Sequence, residues 1–562
     1  MLEEKGGVKS KILDCSLIAT TNCDRGARVK EKSFYDSLNR REESAMKSIA
    51  LVRLGVFVLC LTIGLSLTVS AEASELKIGR VGTLIMSMDP DNTHTYFTMV
   101  PIKNAIFEGL TRYNPETDKL EPFLAERWAV ADGGKKITFF LRKGIQFHGG
   151  YGELTAEDVK ATIDRFFESE KWALINKNNW IPPLNRIEVV DKYTVSFHLD
   201  KTDYTLLVAT FPFHMAWISS KKALEEFGVE GVKTKAIGTG PYELEELKPL
   251  ERVVLKKFPK YWGPKPYYDK VQFVSFASFQ AAAMALKAGE VDFTSVNPED
   301  LALFKDDKNV ETTAFPRPGY CFLGMNTRMK PFDDVRVRKA VRLAIDVEQV
   351  IQAKWGNLFG DVRKFRADSI LPPKSYSGYW KDAPVYKPNL TEAKRLLKEA
   401  GYPDGFKTIL AAPLDKGGEP EAAAVIQQQL KKIGIEVDIP PVELAQFYDE
   451  HIPKQEGKYP LFVSTWSMSL APEENLVWFL CNDSWNYMKW CNPEYDRLWR
   501  SAAEVQDPQK RDQIYIDMQK VWDRDCISVW FDRPPVAFAW RKNIQPKFVS
   551  AGWEATALIR SK

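Results

Sequence analysis

A chain of 562 residues is too long for one ordinary domain, so two or three domains are expected. With 44% hydrophobic and 27% charged residues, the composition is that of a globular protein and excludes a mainly disordered chain. The segment through Ala71 carries 11 basic and 8 acidic residues, which leaves 67 of each sign in the rest of the chain. Because that remainder has no basic excess, nothing favours nucleic acid as a partner.

The N-terminal region has the layout of a secretory signal peptide. From Met46 the sequence has a basic start, an apolar run and a small-residue end, so we predict a signal peptide at 46–71, cleaved at Ala71 or Ala73. The mature protein is then periplasmic. An N-terminal membrane anchor is the alternative, which the short apolar run disfavours. Residues 1–45 are an extension ahead of the signal or precede the true translation start, and the second interpretation is favoured.

Four cysteines remain in the predicted mature chain. Export permits disulfides, and Cys481 and Cys491 lie in one short loop segment, so we predict a bridge between them. Cys321 and Cys526 lie in apolar settings. For these two, buried free thiols and a second bridge both stay open.

Strands and helices alternate along the mature chain. Apolar alternation predicts strands and capped apolar periodicity predicts helices. In chain order we predict a strand at 76–81, a helix at 100–110, a short helix at 122–128, a strand at 136–142, a helix from 155, strands at 193–199, 252–257 and 270–276, a helix at 279–288, helices at 391–400 and 419–433, strands at 436–439 and 461–466, and a helix at 508–522. This alternation implies an α/β fold with mixed sheets.

One turn, Gly238-Thr239-Gly240-Pro241-Tyr242, stands out among the loops. Its glycines permit backbone angles that other residues disfavour, and its proline fixes φ and removes a hydrogen-bond donor. By itself it is consistent with an ordinary loop before a hairpin.

Several motifs occur in the order typical of one protein family. They are Phe107-Glu108-Gly109-Leu110, Leu124-Ala125-Glu126-Arg127-Trp128, the segment from Phe139 to His148, Leu154 to Val159, Gly238 to Tyr242, Tyr261-Trp262-Gly263, Leu323 to Asn326 with Pro331 to Arg338, and Asn492 to Asp496. From about Leu76 to its end the chain resembles the family 5 extracellular solute-binding proteins, the dipeptide-, oligopeptide- and nickel-binding components of ABC importers. The resemblance implies an α/β, two-lobed periplasmic-binding-protein-like fold with mixed sheets and an extra inserted domain.

The resemblance also implies a division of the chain. The expected parts are lobe I at 72–107, an inserted domain at 108–237, lobe I again at 238–316, lobe II at 317–526 and a last part of lobe I at 527–562. The Gly238-to-Tyr242 turn then lies where the chain returns to lobe I, so its expected role is structural.

The function implied is capture of a small solute, peptide or other, for delivery to an ABC permease and its ATPase subunits. We expect a monomer without cofactor and without enzymatic activity. A secreted hydrolase is the rival, although no nucleophile elbow, zinc motif or phosphate loop is present. A sensor or chaperone subunit with the same cleft is a third hypothesis.

One departure from the family pattern concerns the ligand. Peptide binders carry an aspartate shortly after a tryptophan in the segment that matches Trp466, and this carboxylate pairs with the α-amino group of the ligand. Ser467, Met468 and Ser469 occupy that stretch here. A buried ammonium without a charged partner is costly, so a non-peptide or amino-blocked solute gains weight unless Asp89 or Glu473 substitutes.

Candidate ligand-binding residues follow from the expected position of the cleft. They are Trp466, Ser467, Met468 and Ser469 at a strand end; Tyr320, Phe322 and Asn326 at a lobe crossing; Ser87, Met88 and Asp89 after the first strand; and Arg363 and Arg366, with Lys364, as partners for a carboxylate. The alternatives are a core role for Trp466, a turn cap for Asn326 and a solvated basic loop for the arginines. The histidines have no metal-ligand spacing, so no metal site is predicted.

Overall fold

The computed structural model describes residues 74–81, 87–89, 96–114, 119–168, 184–206, 217–373, 378–413, 418–451, 456–467, 471–483, 485–548 and 555–562. The strands are β1 (Glu75–Val81), β2 (Thr111–Asn114), β3 (Lys119–Pro122), β4 (Ala125–Ala131), β5 (Lys136–Leu141), β6 (Leu184–Asp191), β7 (Thr194–Leu199), β8 (Tyr242–Lys248), β9 (Arg252–Lys257), β10 (Lys270–Phe276), β11 (Phe293–Val296), β12 (Val310–Pro316), β13 (Gly319–Met325), β14 (Phe406–Pro413), β15 (Ile435–Asp438), β16 (Pro441–Val442), β17 (Leu461–Ser467), β18 (Ser528–Asp532), β19 (Pro535–Arg541), β20 (Ile544–Gln545) and β21 (Arg560–Ser561). The helices are α1 (Tyr96–Ile106), α2 (Ala156–Glu168), α3 (Lys221–Gly231), α4 (Phe279–Ala288), α5 (Val335–Ala344), α6 (Val347–Trp355), α7 (Leu390–Glu399), α8 (Glu419–Lys431), α9 (Leu444–His451), α10 (Pro472–Leu476), α11 (Pro493–Glu504) and α12 (Pro508–Asp525).

Lobe I is built on a mixed sheet with the strand order β12-β19-β11-β1-β10-β9-β8. β1 runs parallel to both of its neighbours, β10 and β11, and α4 makes the connection between those two strands. The bounds predicted for α4 are confirmed, because its caps are readable in the sequence. The Ser278 side chain accepts a hydrogen bond from Ala281 N at 3.1 Å, and Gly289 ends the helix with a left-handed φ of 82°.

Lobe II is built on a second mixed sheet with the order β15-β14-β17-β13-β18. All seven residues of β13 are buried, because helices cover both faces of the sheet. Cys321 and Leu323 face the core formed with α5 to α8, whereas Tyr320 and Phe322 face the core formed with α9 to α12. Neighbouring residues of one strand thus serve two separate cores.

The inserted domain has an antiparallel sheet of order β4-β5-β7-β6, which is covered by α2. The helix α3 packs against α2. The short helix predicted at 122–128 is wrong, since this segment belongs to β3 and β4. Trp128 pairs with Phe139 across the β4–β5 hairpin. Pairing with β5 outweighs the helical propensity of the alanine and glutamate residues here.

The chain passes between the lobes in two neighbouring segments, from β12 to β13 and from β18 to β19. β18 pairs with β13 and so extends the sheet of lobe II beyond residue 527, where the sequence predicts the return to lobe I. The connection from β18 to β19 runs through Arg533 and Pro534.

The four cysteines of the described residues lie within lobe II. Cys481 and Cys491 form a disulfide with their Cα atoms 4.2 Å apart. Cys321 and Cys526 are buried free thiols. Of the two interpretations left open for that second pair, the structure has the free thiols.

Candidate functional site

Both passages between the lobes meet at one edge of the lobe II sheet. β17 and β18 run antiparallel to β13, so their C-terminal ends lie beside its N-terminal end, where Gly319 pairs with Ser467. β14 runs parallel to β17 and ends at the same edge. We call this region, with residues 317–319, 465–467, 532–534 and the start of α8, the interlobe edge. Ligands of open α/β sheets bind at such carboxyl ends of strands.

A buried ion pair anchors the interlobe edge. Lys354 Nζ lies 2.8 Å from Asp532 Oδ1, and neither side chain has any exposed surface. Trp355 Nε1 donates to the other carboxylate oxygen at 2.7 Å. Burial lowers the pKa of Lys354, but the neighbouring groups, of which the Asp532 carboxylate acts most strongly, together outweigh burial and raise that pKa above its usual value. This pair is therefore a charged and internally satisfied part of the scaffold.

Arg533 fastens the second passage to lobe II. Its guanidinium donates to backbone carbonyl oxygens of Ser369 at 2.7 Å, Leu371 at 3.2 Å and Gly319 at 3.3 Å. Burial lowers its pKa to about 10. The Arg533 guanidinium thus donates to backbone carbonyl groups, and these hydrogen bonds hold the interlobe edge together.

Arg317 differs from these cations. Its backbone N–H donates to Pro534 O at 3.2 Å, which joins the two passages, but its buried Nε has no hydrogen-bond partner among the described residues. Burial lowers its pKa, while the carboxylates of Glu419 and Asp532 act in the opposite direction. Asp532 Oδ1 accepts a hydrogen bond from Lys354, and Glu419 Oε1 accepts one from the Thr465 hydroxyl. A planar guanidinium at the junction is suited to binding a carboxylate.

Sequence reasoning missed Arg317. The only signal was its place in Pro316-Arg317-Pro318-Gly319, between two strands and next to a predicted crossing. That placement marks a junction but does not reveal that the side chain lacks a partner.

The structure brings the predicted aromatic residues together, but within a core. The ring of Tyr320 lies 5.5 Å from that of Phe322 and 5.8 Å from that of Trp466, and Trp530 packs on Tyr320 at 4.2 Å. Trp466 is only 4% exposed. The surroundings of Trp466 therefore agree with the alternative interpretation, in which it is a core residue. The remainder of this predicted group, namely the Ser467 side chain, Met468 and Ser469, lies outside the described residues.

The segment after β1 is tied to the inserted domain. Met88 is fully buried in the core of lobe I. The Asp89 carboxylate accepts hydrogen bonds from both terminal nitrogens of Arg165 at 2.9 and 2.7 Å, and the Ser87 hydroxyl accepts one from Asp89 N at 3.1 Å. Met88 and Asp89 thus serve the scaffold in this conformation.

Glu473, the other substitute considered for the missing aspartate, is buried in lobe II. It accepts a hydrogen bond from the Tyr515 hydroxyl. Burial raises its pKa to about 7. A carboxyl group in these surroundings is a poor counter-ion for an ammonium at the interlobe edge.

Among the remaining predicted residues, Arg366 lies beside the interlobe edge, because its backbone pairs with that of Asp532. Asn326 caps a turn, since its Oδ1 accepts from Arg328 N at 3.1 Å. The Arg363 side chain is 71% exposed and pairs with Asp361, as expected of a solvated basic loop. Arg366 lines a separate cavity in lobe II.

Three sequence motifs converge on one buried carboxyl group, that of Glu108. It accepts hydrogen bonds at 2.8 Å from Thr239 Oγ1, Tyr261 Oη and Trp262 Nε1. Burial raises the pKa of Glu108 to about 7, against the opposing effect of these hydrogen bonds. The motifs therefore build the joint between lobe I and the inserted domain.

The Gly238-to-Tyr242 turn belongs to this joint. A Cβ atom on Gly238 would lie 2.1 Å from Ile106 O, and one on Gly240 would lie 2.6 Å from Ala105 O. Gly240 N donates to Ile106 O at 2.8 Å. The two glycines are needed because the turn packs directly against the end of α1.

The described ranges lack both a metal-binding cluster and a membrane-spanning helix. These ranges contain no cluster of three or more histidine, cysteine or acidic side chains that could hold a metal ion. No helix in them is long and apolar enough to span a bilayer.

Comparison with known proteins gives a consistent result. Residues 119–488 match the model of the bacterial extracellular solute-binding proteins, family 5. The glutathione-binding protein GsiB of Escherichia coli O1:K1 / APEC is 28% identical over 513 residues, covering 89% of this chain and 95% of the relative. The dipeptide-binding protein of Escherichia coli strain K12 is 29% identical over 444 residues, covering 74% and 81%.

A solved structure shares the fold. It is the periplasmic binding protein DppA from Helicobacter pylori in complex with the peptide STSA. The TM-score is 0.71 at 24% identity, covering 87% of this chain and 98% of that one.

Proposed function

Since this chain belongs to the bacterial extracellular solute-binding proteins of family 5, the substrate-binding components of ABC importers, we propose that its interlobe edge holds an organic solute through a carboxylate on Arg317. The observation that carries this proposal is the Nε atom of the Arg317 guanidinium, which is buried and has no hydrogen-bond partner among the described residues. A buried charge is costly unless it is paired. A solute carboxylate provides a charge and two acceptor oxygens in the geometry that a guanidinium prefers.

The proposed solute has no free α-amino group that needs a carboxylate partner. The stretch after Trp466 contains no acid, Asp89 is engaged by Arg165, and Glu473 is engaged by Tyr515. An amino-blocked peptide or a non-peptide acid meets both conditions. The names of the relatives support only the carboxylate part of this proposal, because glutathione and dipeptides carry carboxylates but also a free α-amino group.

Solute binding is proposed to stabilise the closed arrangement of the lobes. The passages at 317–318 and 533–534 are short, and Arg317 belongs to the first and is hydrogen-bonded through its backbone to Pro534 in the second. A ligand bound to Arg317 therefore contacts the elements that a hinge motion displaces. The ligand shifts the equilibrium by its differential affinity for the closed state. The closed, monomeric protein then docks on the ABC permease, and the ATPase subunits drive import without any turnover of the solute.

The proposed division of the chain follows the sheets. It comprises a signal peptide at 46–71, lobe I at 72–107, 238–316 and 535–562, an inserted domain at 108–237 and lobe II at 317–534. Family members are periplasmic, and the proposed signal peptide lies outside the described residues.

The test uses the mature chain and the small molecule that copurifies with it, identified by mass spectrometry. This molecule should carry a carboxylate, raise the melting temperature and be recovered unchanged. Arg317→Gln should weaken its binding at least about tenfold, the loss expected for one charge-assisted interaction. Arg363→Gln is the matched control, since it removes an exposed arginine from the same lobe. Product formation, or equal binding by both variants, would contradict the proposal.

A further inference from the structure

A separate cavity lies at the β18 edge of the lobe II sheet. It is lined by β18, the second half of α12, the turn between α5 and α6, residues 366–370, and Trp380, Pro384 and Tyr386. Its volume is about 50 Å³, whereas one water molecule needs roughly 10–15 Å³. The cavity therefore admits a group of a few heavy atoms.

Hydrogen-bond donors without partners surround this cavity. They are Arg342 Nε, Trp522 Nε1, Ser528 Oγ and Trp530 Nε1, each buried and each without a partner among the described residues. All four residues line the cavity, and each is at most 9% exposed. Leaving so many buried donors unsatisfied in one place is unfavourable.

The acceptors around the cavity, in contrast, are engaged. Asp523 accepts from Arg342 Nη1 at 2.8 Å and from the Tyr386 hydroxyl at 2.7 Å. Asp368 accepts from Arg366 Nε at 2.7 Å. The lining thus has spare donors, while its carboxylates already serve its two arginines.

The excess of unpartnered donors over free carboxylates defines which chemical group would fit the cavity. A water molecule would satisfy some of the donors, but its own two hydrogens would need acceptors, and the carboxylates of the lining already accept hydrogen bonds from Arg342, Tyr386 and Arg366. A carboxylate accepts several hydrogen bonds and donates none. An acceptor-only group of a few atoms matches both the size of the cavity and its donors.

Packing holds the walls of the cavity in place. The rings of Trp522 and Trp530 are stacked with their centroids 4.5 Å apart, and the Arg342 guanidinium lies 3.7 Å from the centre of the Tyr386 ring. Ser528 is on a strand that is hydrogen-bonded to β13. Donors fixed in this way need little reorganisation to bind an anion.

We propose that this cavity is a second binding site, specific for a small carboxylate or a similar oxyanion, formed within lobe II. The site does not require Arg317, so this proposal can be tested independently of the proposed solute site at the interlobe edge.

The experiment titrates acetate, and in a second arm inorganic phosphate, into the ¹⁵N-labelled mature protein in a buffer without other oxyanions. The indole N–H signals of Trp522 and Trp530, assigned with Trp522→Phe and Trp530→Phe, should shift together and saturate. Ser528→Ala removes one donor with little change in volume and should weaken binding at least about tenfold. Ser464→Ala, a buried serine on β17 outside the cavity, should bind acetate as the wild type does.

Arg317→Gln distinguishes this site from the interlobe edge. It should leave the acetate-dependent shifts of the two indole signals unchanged. Two outcomes would overturn the proposal. In the first, neither anion causes a saturable shift in the wild-type protein, so that only water occupies the cavity. In the second, Arg317→Gln abolishes the shifts. The wild-type titration decides the matter even if Ser528→Ala fails to fold.

Discussion

Replacing Glu108 with glutamine isolates the ionisation of one buried carboxyl group. Burial raises the pKa of Glu108 from an ordinary value of 4.5 to about 7. Between these two values the unfolded chain releases the proton while the folded protein retains it. The folded state then binds more protons than the unfolded state, so stability falls as the pH rises through this window.

The size of the effect follows from the shift. One pKa unit corresponds to about 1.4 kcal/mol, so ionisation of Glu108 removes on the order of 3 kcal/mol of stability between pH 4.5 and pH 7. The glutamine side chain of the variant cannot ionise. Its amide can still accept from Trp262 Nε1, and the hydroxyl groups of Thr239 and Tyr261 can adapt their donor and acceptor roles. The pH-dependent loss should therefore be absent from the Glu108→Gln variant.

Urea denaturation of both proteins at several pH values measures this difference. The free energy of unfolding of Glu108→Gln, minus that of the wild type, should increase with pH by up to about 3 kcal/mol. All other titrating groups are common to both proteins and cancel in the difference. Glu126→Gln, at an exposed position, controls for the loss of a surface charge. A difference that stays constant with pH would refute the reasoning, because Glu108 would then ionise equally in both states.

Two further substitutions test the joint and the interlobe edge. Gly238→Ala should destabilise the protein by about 1–3 kcal/mol, because its Cβ would lie 2.1 Å from a backbone oxygen. The control is Gly360→Ala, which should not lower the melting temperature because no atom lies within 4 Å of its Cβ. An equal loss of stability in both variants would contradict the packing argument. Lys354→Met should cost about 3–5 kcal/mol by leaving Asp532 buried without its cation, and adding Asp532→Leu should restore part of that loss in denaturation experiments. If the double variant is no more stable than the single one, the buried pair does not account for the effect.

Much of the fold could be predicted because its signals are local. Alternation alone located β7 to within one residue, and capping residues located α4. Prediction failed where a distant partner decides the outcome. The helix expected at 122–128 is part of a hairpin because β5 lies beside it, and β18 belongs to lobe II because β13 lies beside it.

The candidate site was harder to predict than the fold. Tyr320, Phe322 and Trp466 lie together near a lobe crossing. Their burial between sheet and helices is not visible in a strand pattern. Arg317 is distinguished by a missing partner, which only the folded arrangement reveals. Likewise, the motif around Glu108 could be identified in the sequence, although its contacts with Thr239 could not.

The most direct test of the proposed solute site is a crystal structure of the mature protein with its copurified solute. We expect density between the lobes with a carboxylate oxygen within hydrogen-bond distance of the Arg317 guanidinium. A solute bound away from residues 317–319 and 532–534, with Arg317 paired to a protein carboxylate instead, would contradict the account.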